Sequence, residues 1–204
     1  MIRELIVKTR TIRRFKEDEG LDETVLRELI DLARLGGSAR NSQPLRYMMV
    51  TDRQLGARIF PHLGWAGYLV DWPGPAEGER PPAYVICLLD RRCCQGPESE
   101  ARIDLGIATQ NLLLGAAARD IYGCRIGSFA PDISGLLQID GSRYKLLLVI
   151  ALGRAAEEVV LEEAGPDGDI RYWRDRQQVH HVPKRPLTDI IIAPGSPPSK
   201  RGSQ

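Results

Sequence analysis

From Arg102 to Ala118 the sequence is apolar around nearly the whole circumference of the helix it would form, with Ile103, Leu105, Ile107, Ala108, Leu112 to Leu114 and Ala116 to Ala118. A helix hydrophobic all round must be buried, so the spacing predicts a central helix, and the fold has to supply elements that surround it. The rest of the chain offers them. Asp22 reads as an N-cap, with Leu21 and Leu26 at hydrophobic-staple positions. Val25, Leu26, Leu29, Ile30 and Ala33 then recur at helical spacing until Gly36–Gly37 ends the run. Tyr47 to Thr51 predicts a strand, and Asp52 caps a short helix that stops before Pro61. Ala83 to Leu89 is continuously apolar, the pattern of a strand buried on both faces. Tyr144 to Leu152 predicts a third strand and Leu187 to Ala193 a fourth. The order is no regular βαβ alternation, so the class is α+β.

With 204 residues the chain has material for one substantial core, and no internal repeat or interdomain linker divides it. A single domain is expected over residues 1–193, with a Pro/Gly-rich insert from Trp72 to Pro82 and a flexible tail over 194–204. The 28 basic and 27 acidic side chains nearly cancel, which argues against a nucleic-acid or anionic-membrane partner. The N-terminal sequence lacks the apolar core of a signal peptide and no apolar stretch spans a bilayer, so a cytoplasmic protein is expected. Cys87 and Cys124 lie in apolar runs and read as core, whereas Cys93 and Cys94 read as exposed loop thiols. No CxxC pair or zinc-ligand spacing is present.

Four constellations could carry chemistry. Arg10, Thr11, Arg13 and Arg14 place guanidinium forks and a hydroxyl close enough to grip a phosphate, although a basic cluster alone equally describes a solvated face. Gly37, Ser38, Ala39 and Asn41 combine small residues, which let a backbone approach a flat ligand, with short polar contacts; a surface turn has the same composition. The segment Gly123-Cys124-Arg125-Ile126-Gly127-Ser128-Phe129 leaves the central helix through a turn whose backbone N–H groups can donate to a ligand ring, or is a simple helix-to-strand connection. Finally, His180-His181-Val182-Pro183-Lys184-Arg185-Pro186 holds paired cations between prolines. The two adjacent histidines diverge on an extended segment and lack a third ligand, so no metal is expected.

In order and spacing, TRTIRRF, ARLGGSARNSQPLRYMMV, DLGIATQNLLLGAAARDIYGCRIGSF and VHHVPKRPL resemble the FMN-dependent nitroreductase family across residues 3 to 192. The resemblance implies a nitroreductase-like fold, with a central mixed sheet flanked by helices and a C-terminal strand exchanged in a homodimer. It assigns Arg10, Thr11, Lys184 and Arg185 to the phosphate side chain of FMN and Arg13 to the flavin N1 edge. It gives Ile126, Gly127 and Ser128 the flavin N5 edge. Gly37, Ser38, Ala39 and Asn41 fall to a loop that reaches the flavin held mainly by the other subunit. Three departures stand out: Thr9 replaces the leading Arg of the first motif, Gly37 replaces the usual Pro, which loosens the loop, and the family's mid-chain polar flavin contact has no identified match in PHLGWAGYLVDW. Trp65, Tyr68 and Trp72 either line the substrate face or pack in the core.

The implied activity is hydride transfer from NADH or NADPH to FMN and on to a nitroaromatic, quinone or similar small-molecule acceptor by a ping-pong route, with no catalytic side chain required. FAD is disfavoured because no Gly-rich dinucleotide fingerprint is present. The alternatives are a flavin-binding sensor or carrier without turnover, or a divergent member of the fold that reduces activated double bonds, dehalogenates or fragments flavin.

Overall fold

The computed structural model describes residues 2–195, and the chain divides into two compact units, Met1–Glu157 and Glu158–Gln204. The first begins with helices α1 (Ile2–Lys8) and α2 (Glu23–Arg34), strand β1 (Leu45–Val50) and helix α3 (Arg53–Ile59). It continues with strand β2 (Ala83–Asp90), the long helix α4 (Glu98–Ala117), strand β3 (Tyr122–Ile126), a short helix α5 (Ile133–Leu136) and strand β4 (Tyr144–Gly153). The strands form one sheet in the order β1-β2-β4-β3, antiparallel throughout its ladders. A parallel bridge from Thr11 to Gly123 adds the mixed character.

Every residue of β2 is buried, as its uninterrupted apolar run predicted. Successive side chains alternate faces. Val85, Cys87 and Leu89 join Leu26, Leu29 and Ala33 of α2 and Leu105, Ala108 and Leu112 of α4 in the main core. On the opposite face Gly56 of α3 approaches Tyr84 so closely that a Cβ would meet its ring at 3.4 Å. Burial pushes the Cys87 thiol up to about 12 and the Cys124 thiol up to about 11, as expected of core cysteines. Asp22 is the N-cap residue of α2 but its side chain accepts no capping N–H, whereas Asp52 Oδ1 accepts the Leu55 N–H at the start of α3.

Helix α4 starts at Glu98, before the apolar run, because its first turn is polar. Glu98 there accepts from Lys145 at 2.7 Å and Arg102 at 2.7 Å, and these cations hold its carboxyl below the usual range. One flank of α4 stays open in the single chain: Ile103 is 65 % and Ile107 41 % exposed. The insert is pinned, not loose. Glu17 Oε2 accepts from the Gly78 and Arg80 N–H groups, and Phe15 N–H donates to Glu79. Gly74 takes φ +124°, with Trp65 where a Cβ would go, so only glycine fits.

The second unit holds β5 (Val159–Glu163), β6 (Trp173–Arg174) and β7 (His180–Lys184) in the order β5-β7-β6, the first pair parallel and the second antiparallel. The strand expected over Leu187 to Ala193 is absent. Leu187–Ile190 forms a turn of helix, α6, and irregular chain follows. Pro186 sets the helical entry, and β-rich composition makes a strand only where an edge is available to pair with. Leu187, Ile190, Ile191 and Ile192 are all at least 60 % exposed. Of the expected tail only Pro194 and Gly195 fall within the described residues. No helix among the described residues is long and apolar enough to cross a membrane.

Candidate functional site

The first basic motif is built into the sheet. Ile12 and Phe15 are buried, at 3 % and 0 % exposure, which leaves Arg10, Thr11, Arg13 and Arg14 on the sides of an extended segment. Ile12 N–H donates to Gly123 at 3.2 Å, and Phe15 bridges Ala155. The segment therefore runs beside β3. Glu157 Oε1 accepts both the Arg13 and the Arg14 backbone N–H, the latter at 3.1 Å. Arg14 is committed to structure by its ion pair with Glu79 at 3.3 Å. Arg13 lies against Cys124, where its charge opposes the upward push of burial on the thiol. Arg10 differs. Its Nη2 donates to the Ile6 carbonyl at 2.7 Å, but its Nε is buried with no hydrogen-bond partner among the described residues. Partial burial lowers its pKa, because desolvation disfavours the charged form.

Gly123 is the second residue of β3, and Gly127–Ser128 follow its end. The sequence predicts a turn or connection here and the structure has a strand, because Gly123 and Arg125 interrupt its apolar pattern and Gly127 follows directly. At about 3.3 Å per strand residue, Ile126 lies roughly 10 Å from the Thr11 bridge, within the span of one small cofactor. A Cβ on Gly127 would meet only Leu148, at 4.0 Å, so its surface is open. Gly64 N–H donates to the Ser128 carbonyl at 2.8 Å, Leu63 bridges Phe129, and Ala130 N–H donates to His62. The mid-chain PHLGWAGYLVDW segment, unplaced in the sequence, thus runs antiparallel to the Gly127–Ser128 turn and brings Trp65 next to it in the chain. Trp65 pairs with Phe60, ring centroids 5.8 Å apart.

The loop Gly37–Asn41 sits elsewhere, on the N-terminal half of α4. Ser38 Oγ donates to Asp104 Oδ2 at 2.7 Å, Ala39 N–H donates to Asp104 Oδ1 at 3.0 Å, and Arg40 pairs with Glu100. A cavity of about 330 Å³ opens beneath it, lined by Ala33, Gly37, Ser38, Tyr47, Asp104 and Ala108 among others. Asp104 and Glu100 escaped the sequence reading. The available signal was two acids, four residues apart and so on one face, in a helix otherwise read as apolar. In the second unit Lys184 ends β7 and its carbonyl accepts from Ala164 N–H at 2.8 Å. Its side chain and that of Arg185 are exposed.

The described site can hold an anion at Arg10, one residue before the Thr11 bridge to β3, and present an open backbone edge at Gly127, just past the end of that strand. Those are the demands of a phosphate and a flat ring carried by one ligand, and the residues fit FMN.

A model of the nitroreductase family matches residues 6–67. Among solved structures, a nitroreductase family protein from Streptococcus pneumoniae superposes with a TM-score of 0.64 at 18% identity, covering 82% of this chain and 96% of that one. A protein from Desulfovibrio desulfuricans assigned to the nitroreductases and solved with FMN gives 0.69 at 22% identity, covering 96% and 98%. An enone reductase of gut-bacterial fatty acid saturation gives 0.65 at 18% identity, covering 80% and 92%. The chain is therefore an α+β protein with the nitroreductase fold. Residues 6–67, which hold the first two of the four motifs, also match the family's sequence model.

Proposed function

We propose that this protein is an FMN-dependent oxidoreductase working as a homodimer with shared sites. The observation that carries this reading is Arg10: a partly buried guanidinium whose Nε has no hydrogen-bond partner among the described residues, on the segment that bridges β3, within a fold whose relative from Desulfovibrio desulfuricans binds FMN. Arg10 and Thr11 hold the phosphate, joined by Lys184 and Arg185. Arg13 places a cation at the flavin N1 edge, where charge that builds on reduction is stabilised. The backbone after Ile126, at Gly127 and Ser128, orients the N5 edge. Gly37, Ser38, Ala39 and Asn41 complete the site of the partner subunit. When bound, FMN supplies the redox chemistry, accepting hydride from NAD(P)H and passing it to a nitroaromatic, quinone or similar acceptor by ping-pong turnover. The chain's part is to bind, orient and exclude water, which needs no catalytic side chain.

The dimer reading rests on uncovered apolar surface. Ile103 and Ile107 of α4 are exposed, Ile107 lies beside Gly36, and Leu35 is 63 % exposed, while Leu187, Ile190, Ile191 and Ile192 near the C-terminus are bare. Such surface marks an interaction site in a folded protein, and obligate interfaces of this type bury more than about 2,000 Å².

The test is an absorbance spectrum of the purified protein with FMN, before and after NADH or NADPH, followed by an acceptor. Flavin bands that bleach with reductant and return with acceptor support the reading. Failure to bind FMN after reconstitution, or release of FAD on heating, overturns it. A flavin that binds but never bleaches favours a sensor or carrier.

A further inference from the structure

The loop from Gly37 to Gln43 adopts a conformation its own residues resist. Arg40, Asn41 and Gln43 all take positive φ, at 55°, 52° and 46°, although none is glycine. Left-handed residues of this kind persist only where the surroundings over-determine them. Here the surroundings are two acids on α4. Glu100 takes the Arg40 guanidinium. Asp104, only 4 % exposed, accepts Ser38 Oγ–H and Ala39 N–H, while Ser38 Oγ in turn accepts the Gln43 N–H at 3.0 Å. Among the described residues no cation pairs with Asp104. A buried carboxylate is tolerated only when donors satisfy it, and its donors come from this loop. Solvation of the carboxylate and the shape of the loop are thus one and the same arrangement.

We propose that Asp104 is a positioning residue for flavin binding, and that Ser38 serves Asp104 instead of touching the cofactor. The carboxylate sets the Gly37–Asn41 backbone in the form it presents to FMN, and Asn41 is the loop's polar contact. This deepens the FMN reading and rests on it. Asparagine at 104 could still accept from Ala39 N–H, but its amide N–H₂ would replace an acceptor that Ser38 Oγ–H needs. D104N and S38A therefore remove the same bond, and their effects overlap.

The test uses the full-length protein stripped of flavin and titrated with FMN, as wild type, D104N, S38A, the double variant and L29V. Leu29 is a core residue away from the loop, and L29V controls for lost stability. Thermal midpoints and hydrogen–deuterium exchange over residues 38–43 are measured alongside. D104N and S38A should each weaken FMN binding about tenfold, the scale of one hydrogen bond to a charged group, and the double variant should be no weaker than S38A, which also loses the Gln43 N–H bond. L29V should lower the midpoint and leave FMN affinity unchanged. Wild-type affinity in D104N, or effects of D104N and S38A that multiply, would overturn the proposal. If D104N does not fold, S38A against L29V decides. If the wild type binds no FMN, the cofactor reading fails, and exchange still judges the positioning role: acceleration over 38–43 in D104N but not L29V supports it, and equal exchange overturns it.

Discussion

The two basic motifs contain similar chemistry in dissimilar settings. Arg10 to Phe15 is extended chain nailed down by Ile12 and Phe15, by bonds to β3 and by Glu157. Lys184–Arg185 ends a narrow three-stranded sheet whose cohesion depends on polar side chains: His181 reaches Glu162 at 3.0 Å and Asp175 at 3.4 Å and stacks on Trp173 at 4.1 Å. The first places a partly buried guanidinium on a firmly anchored segment. The second offers solvated charge on a more easily disturbed support. Rigidity here follows from how many apolar side chains anchor the segment, not from how many cations it carries.

The sharpest way to break this comparison is to remove an anchor. Phe15→Ala empties a fully buried ring site and should cost about 3–5 kcal/mol by chemical denaturation, with loss of FMN retention. A loss below about 1 kcal/mol would mean the motif is not built into the core, since even Ile→Val changes reach that size. Next comes truncation after Thr188. It removes the exposed Ile190 to Ile192, and light scattering should show loss of the dimer together with loss of the flavin. The stabilisation given by FMN at 100 times its dissociation constant, about 2.7 kcal/mol, should vanish from the unfolding curve. A truncated protein that stays dimeric and yellow would remove the C-terminal segment from the interface.

Charge removal sharpens the contrast further. Arg10→Ala should weaken FMN about 10- to 100-fold in titrations, the scale of charge-assisted bonds made out of water. Arg185→Ala should weaken it only about threefold, because exposed ion contacts are worth at most about 1 kcal/mol. Equal effects would erase the distinction between the motifs. The smallest effect is that of pH on the second unit. Burial lowers the His181 pKa, but its bonds to Glu162 and Asp175 outweigh this and raise it above the ordinary 6.5. A raised histidine contributes stability fully present below about pH 6.5 and lost as pH rises through its folded value. In a protein whose other tryptophans are replaced by Phe, Trp173 emission should change across that window and stay flat in H181Q.

The apolar helix at 102–118, the buried strand at 83–89 and the order of the four motifs were legible because each is a property of consecutive residues. Periodicity and composition act locally, and the structure keeps them. What the local pattern lacked was any record of partners. Strand β3 was hidden because Gly123 and Gly127 read as turn formers, and only the ladder with β4 and the bridge to Thr11 make it a strand. The run Leu187 to Ala193 failed in the opposite direction, since its β-rich residues have no edge to pair with in the described chain. The candidate site shows the same division. The sequence alone marked Arg10, Gly127 and the loop at 37–41. The tertiary structure decided that Arg10 is partly buried with an Nε unpartnered among the described residues, that the Leu63–Gly64 segment borders Ser128, and that Asp104 accepts the bonds of Ser38 and Ala39, because a long-range hydrogen bond leaves no trace in the spacing of either partner.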